Sequence, residues 1–109
     1  MILDTSIVID KVKDKEEIFD NITIITLIEY PPIKNYKKFY GKIYYISYEE
    51  QLLAVIIQEE LRKKGTPMSV GDIFIAAVAI NRDEVLLTKD KDFLLIQSVY
   101  PKLRLKVLD

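Results

Sequence analysis

The chain contains no histidine, no cysteine and no tryptophan in 109 residues. Without cysteine there is no disulfide scaffold, no thiolate metal site and no thiol nucleophile. Without histidine there is no Ser-His-Asp triad, no zinc finger and no ribonuclease chemistry built on paired imidazoles. Any catalysis must rest on carboxylates, lysine, tyrosine or hydroxyls. Any bound metal must be a hard ion held by oxygen. No basic segment leads into an apolar run at the start, and the longest apolar stretches, such as Ile73 to Ile80, fall far short of the ~20 residues of a membrane span. A cytoplasmic protein without a membrane partner is expected.

What the chain does have is a hydrophobic half, 16 basic and 17 acidic residues, enough for one domain over residues 1–109 with a single core. Ile2-Leu3-Asp4 reads as a buried central strand and residues 14–20 as a short polar helix. The β-branched run from Ile22 to Ile25 reads as a second buried strand. Pro31-Pro32 opens a short helix with Ile33, Tyr36 and Tyr40 on one side, closed by Gly41. Lys42 to Ile46 is a third strand.

Ser47 and Glu50 form a capping box ahead of a helix whose buried stripe is Leu52, Leu53, Val55, Ile56, Ile57 and Leu61. Arg62, Lys63 and Lys64 suit the negative end of its dipole, and Gly65 and Pro67 stop it. A second cap at Ser69 introduces Ile73 to Ile80, apolar on nearly every face and therefore buried on both sides. Val85 to Thr88 is a fourth strand, Lys91 to Gln97 a brief helical turn, and Leu105 to Val107 a last strand. This alternation predicts an α/β fold, a mostly parallel sheet of about five strands with helices on both faces. In such folds ligands gather outside the carboxyl ends of the strands.

Four acids are expected there: Asp4 after strand one, Glu29 after strand two, Asp90 after strand four, and Asp72 at the start of the buried helix. Each has a bland explanation as a cap or turn residue. For Glu29 that explanation is poor, because a helix capped at Thr26 would carry Pro31 in its interior. Carboxylates that converge in an apolar setting repel unless a cation neutralises them. With oxygen ligands alone, that cation is Mg²⁺ or Mn²⁺, which can activate water against a phosphodiester.

The ordered segments Leu3-Asp4-Thr5-Ser6, Thr26-Leu27-Ile28-Glu29, Gly71-Asp72-Ile73-Phe74 and Leu87-Thr88-Lys89-Asp90-Lys91-Asp92-Phe93 resemble the signature of PIN-domain ribonucleases. The small size and the Lys64 to Pro67 lead-in resemble the VapC toxins of toxin–antitoxin pairs. The resemblance spans nearly the whole chain. It implies a three-layer PIN-like fold and a homodimeric, Mg²⁺- or Mn²⁺-dependent endoribonuclease, restrained by a cognate antitoxin over the acidic site. Asp4, Glu29, Asp72 and Asp90 then match the family's metal-binding quartet, Asp92 an additional acid, and Thr88 an orienting hydroxyl. Ser6 stands where many members carry asparagine, and the segment between Glu29 and Ser47 is shorter and richer in tyrosine than in relatives.

Setting the four acids aside turns the net charge of −1 into +3, so binding a polyanion is not excluded. Lys89 and Lys91, flanking Asp90, are the candidates for phosphate contact. Six of the seven tyrosines lie between Tyr30 and Tyr48, where they could stack bases, meet a partner or fill the core. The competing reading is a non-catalytic RNA-binding or scaffolding module of the same fold. A receiver domain would need an acceptor aspartate where Ser47 and Tyr48 stand. A haloacid-dehalogenase-type phosphatase would need a second aspartate at Ser6.

Overall fold

Asp4 decides how the chain begins. Its side chain accepts from the Thr5 amide, so the strand β1 (Ile2–Leu3) ends there and helix α1 (Thr5–Lys13) starts. The computed structural model describes residues 1–109. Strand β2 is Ile22–Thr23, helix α2 Ile24–Glu29, and a 3₁₀ turn covers Pro31–Asn35. Then come β3 (Ile43–Tyr44), α3 (Tyr48–Lys63), α4 (Val70–Asn81), β4 (Leu86–Thr88), α5 (Phe93–Val99) and β5 (Leu105–Val107). No helix is long and apolar enough to cross a membrane.

All pairings between strands are parallel: β1-β4-β5 in one sheet and β2-β3 in another. The single five-stranded sheet expected from sequence is thus divided into three strands and two. The reason lies in β2, which stops after two residues because the Thr23 hydroxyl accepts from the Ile25 amide and turns the chain into α2. The two sheets still meet, through Leu3 N donating to Asn21 O at 2.9 Å and Asn21 N to Met1 O at 3.0 Å. Period-2 alternation then sorts the side chains. Ile2 and Leu86 pack with α3, α4 and α5, whereas Leu3 and Leu87 pack with Ile7 and Val8 of α1, Ile18, Ile22 and Ile33. Both faces of the central sheet are covered, which makes three layers.

Three other expectations change. Residues 14–20 are not a helix; the helix is α1, whose Ile7 and Val8 are buried, while Ile18 bridges to Phe39 instead. The segment after Pro31-Pro32 makes only a 3₁₀ turn, and Gly41 serves a close approach rather than a helix end. A Cβ on Gly41 would fall 1.8 Å from the Asp20 carbonyl oxygen. On α3, the capping box forms with both bonds, and Ile57 and Leu61 are buried, but Leu52, Val55 and Ile56 are exposed. Their places facing the core are taken by Ala54 and, unexpectedly, Glu50. The tyrosines divide. Tyr36 and Tyr44 are hydrogen-bonded within the fold, Tyr40 stacks on Phe19, and Tyr45 and Tyr48 are exposed.

Candidate metal and catalytic site

Asp4 is the most buried of the four acids, at 7% exposure, on the rim where β1 ends. Thr88, wholly buried at the end of β4, donates to Asp4 Oδ2 at 2.8 Å and accepts from the Asp90 amide at 3.0 Å. One hydroxyl therefore ties the ends of two adjacent parallel strands together. Ser6 Oγ lies 3.5 Å from the same Asp4 oxygen. Asp90 lies beyond β4 and accepts from the Asp92 amide at 2.8 Å, which shapes the turn into α5. Asp72 stands in the first turn of α4, half-buried, behind the Ser69 cap. Glu29 is not at a strand exit as expected. It is the last residue of α2, a helix that replaced the end of the predicted strand. Tyr30, the residue before Pro31, has left the helical region (φ −135°, ψ 73°) and closes α2.

The acids sense one another. Burial raises the Asp4 carboxyl above the usual aspartate range; hydrogen bonds from Thr88 and Thr5 oppose this, and the charges of Glu29 and Asp90 add to it. Asp72 is also raised, first by burial, with the Ser69 hydroxyl opposing and Asp4, Asp90 and Glu29 reinforcing. None of the six ion pairs in the structure involves Asp4, Glu29, Asp72 or Asp90. Four acids from four elements share a rim without a basic partner, and all their donors are oxygen. That chemistry suits a hard divalent cation. No three acidic side chains stand close enough to make a ready-made cage, however. Asp92, at the start of α5, donates its amide to the Asp90 carboxylate. Lys89 is ion-paired with Asp10 of α1, and Lys91 is exposed with no ion-pair partner.

A consequence of the raised carboxyls can be measured. An acid raised in the folded state contributes stability below its unfolded pKa and loses it as pH rises through the folded value. With EDTA present, the part of the stability that depends on Asp4 and Asp72 should therefore fall as pH rises from about 4 toward neutrality. Asp72→Asn should flatten part of that slope and melt a few degrees higher than wild type at pH 7. Melting curves across pH would test this, and an Asp72→Asn protein less stable at neutral pH would refute it.

Thr5, to which sequence reasoning gave no role, and Thr26, weighed there only as a cap, complete the rim. Thr5 Oγ1 donates to Glu29 Oε1 at 2.6 Å and lies 2.9 Å from Thr26 Oγ1. The single Thr5 proton is committed to the carboxylate, so Thr26, fully buried on α2, is the donor to Thr5. Thr5 thus holds Asp4 through its amide and Glu29 through its hydroxyl. Gly71 lets α2 and α4 approach: a Cβ there would come within 3.5 Å of Glu29 Oε2. The signal available in the sequence was the hydroxyl immediately after Asp4. Partners that orient a metal ligand are typically worth about 10–100-fold in affinity. Thr5→Val should accordingly weaken Mn²⁺ binding about tenfold, read as the midpoint of metal-induced thermal stabilisation, and Thr5→Ser should restore it.

Comparison with known proteins places the fold. No protein-family model matches the chain, and no curated protein matches it. Among solved structures, the fold is that of chains in toxin–antitoxin complexes of the VapBC type. They include VapBC2 from Rickettsia felis bound to a promoter DNA fragment, with a TM-score of 0.77 at 22% identity over 99% of this chain and 98% of that one. VapBC-5 from Mycobacterium tuberculosis gives 0.75 at 18% identity, covering 98% and 97%. VapBC-1 from nontypeable Haemophilus influenzae gives 0.74 at 20%, covering 97% and 96%. The VapC-like architecture read from the sequence motifs is therefore matched over nearly full length.

Proposed function

We propose that this chain is a divalent-metal-dependent endoribonuclease of the VapC kind. The supporting observation is the convergence of Asp4, Glu29, Asp72 and Asp90, from four separate elements, on one rim that has no basic partner. Those four would hold Mg²⁺ or Mn²⁺, which when bound supplies a water of lowered pKa and offsets charge on a phosphoryl group. Thr88 keeps the Asp4 carboxylate fixed, and Thr5 does the same for Glu29. Lys91, uncommitted beside Asp90, is the residue to meet an RNA phosphate; Lys89 would first have to leave Asp10. A cognate antitoxin is the proposed protein partner. Ile28, 67% exposed next to Glu29, gives such a partner apolar contact at the rim.

One observation favours the second reading, a non-catalytic RNA-binding or scaffolding module: no three acids are closed on one point. End-labelled RNAs incubated with Mn²⁺ or with EDTA separate the two. Cleavage in the presence of Mn²⁺ that EDTA removes is expected of the enzyme. RNA binding without cleavage at millimolar Mn²⁺ would favour the scaffold.

A further inference from the structure

Phe19 and Tyr40 are large aromatic side chains left in water, 68% and 58% exposed, and they stack on each other. Their ring centroids are 5.2 Å apart and their planes 19° from parallel. The backbone explains why they meet outside the core. Ile18 bridges Phe39 in parallel, and Ile22 pairs with Ile43 at the same offset, so Phe19 and Tyr40 are cross-strand neighbours. Ile18, Ile22, Phe39 and Ile43 all pack into the cluster around Ile7 and Val8 of α1. Alternation then turns Phe19, Lys38, Tyr40 and Lys42 to the opposite face.

The surroundings of the rings are basic. Between Glu29 and Glu49 the chain has four lysines, Lys34, Lys37, Lys38 and Lys42, and no acid. All four are exposed, and none is in an ion pair, not even with Glu17 or Asp20 of the neighbouring segment. Lys38 spends one of its three protons on the Lys15 carbonyl, at 2.8 Å. Two near-parallel rings leave one π-face of the stack open, and a flat base can continue it. Lysines two residues to either side of Tyr40 are placed for the phosphates that flank such a base. Lysine is depleted where proteins bury surface against each other, so uncommitted lysines around a ring stack fit a polyanion better than a protein.

We infer that this face binds single-stranded RNA, with a base stacked on Phe19 and Tyr40 and the neighbouring phosphates on Lys38 and Lys42. That the strand is RNA rather than DNA rests on the function proposed above. The face is separate from the acid rim. Ile2 bridges Asn21 in parallel, so Phe19 lies two residues before that level and Asp4 two after it, about 13 Å further along the strands. An RNA anchored here reaches the acids with nucleotides further along the same strand.

Fluorescence anisotropy with a labelled, unstructured RNA of about ten nucleotides tests this on the full chain, in EDTA so that no cleavage intervenes. Tyr40→Ala and Phe19→Ala should each weaken binding about fivefold or more, the usual worth of a stacked base. Tyr40→Phe keeps the ring and should bind as the wild type does. Lys42→Gln should weaken binding and reduce the slope of log K against log salt by about 0.7, a readout that does not depend on either ring variant folding. The same RNA annealed to its complement should bind more weakly, because its bases are already stacked. Tyr40→Ala binding as tightly as wild type would overturn the inference, even where Mn²⁺-dependent cleavage is seen. So would a duplex bound as well as the single strand. No RNA binding by the wild type at micromolar concentrations would overturn it too and leave the rings to a protein. Failure of cleavage in Mn²⁺ with the Tyr40→Ala loss intact would remove the catalytic reading and support this one.

Discussion

Replacing Arg82 with methionine is expected to cost about 3–5 kcal/mol, the range for removing one partner of a buried ion pair. Glu50 is fully buried in the first turn of α3, yet it is charged because donors surround it. Its Oε1 accepts from the Ser47 amide at 2.8 Å, and its Oε2 accepts from Asn81 at 3.1 Å and Arg82 Nε at 2.9 Å. Burial pushes the carboxyl up, but Arg82, Ser47 and Asn81 outweigh it and hold it below the ordinary glutamate value. Arg82 also donates to the Tyr45 carbonyl at 2.9 Å and lies 4.3 Å above the Tyr44 ring. The one guanidinium therefore joins α3, the end of α4 and the segment around β3.

The pH dependence gives the loss a signature. In the wild type, a depressed carboxyl contributes stability above its unfolded pKa and loses it as pH falls through the folded value. Without Arg82, burial is opposed only by the weaker donors, so the variant loses stability as pH rises instead. Urea denaturation should show the widest gap between the two proteins at neutral pH and a narrower one near about pH 4.5. Adding Glu50→Gln to the Arg82→Met protein should recover part of the loss. A gap that does not change with pH would mean the arginine acts mainly through packing. Since a domain of this size is stable by only about 5–15 kcal/mol, the single variant could sit close to unfolding at growth temperature.

The second large effect concerns the rim. Asp4→Asn keeps one oxygen to accept from the Thr5 amide and replaces the oxygen that faces Thr88 with an NH2, which can donate to the Thr88 hydroxyl instead, so the fold should survive. It removes the charge. If partners of metal ligands are worth about 10–100-fold, losing a ligand itself should lower RNA cleavage by more than about 100-fold. The same variant should lose the rise in melting temperature that Mn²⁺ gives the wild type, because a ligand that no longer binds cannot stabilise. Cleavage at the wild-type rate by Asp4→Asn would end the metal-dependent proposal whatever the melting data showed.

How far the sequence was legible depended on how locally each signal acts. The Ser47–Glu50 box and the apolar run after Ser69 are local, and α3 and α4 begin where those residues place them. The β-branched run from Ile22 misled because a single side-chain bond, Thr23 to the Ile25 amide, overrides strand preference after two residues. That shift moved Glu29 from a strand end to a helix end without removing it from the rim. The exposed side of α3 was unreadable for a different reason. Its apolar residues occupy so much of the helix that periodicity does not say which side faces the core. The buried side is set by Glu50, whose partners Asn81 and Arg82 lie more than thirty residues away. The Thr26–Thr5–Glu29 chain was hidden likewise, since its bonds span twenty-one and twenty-four positions.

Asp4 begins α1, receives the Thr88 hydroxyl from the central strand and contributes charge to the rim. Asparagine could do the first, could meet Thr88 only as a donor and could not do the third, and glutamate could supply charge but is too long to cap in the same way. Position 4 consequently has almost no freedom to drift. A lineage that abandoned the chemistry could still tolerate asparagine there, so the side chain at this one site would tell a silenced descendant from a working one.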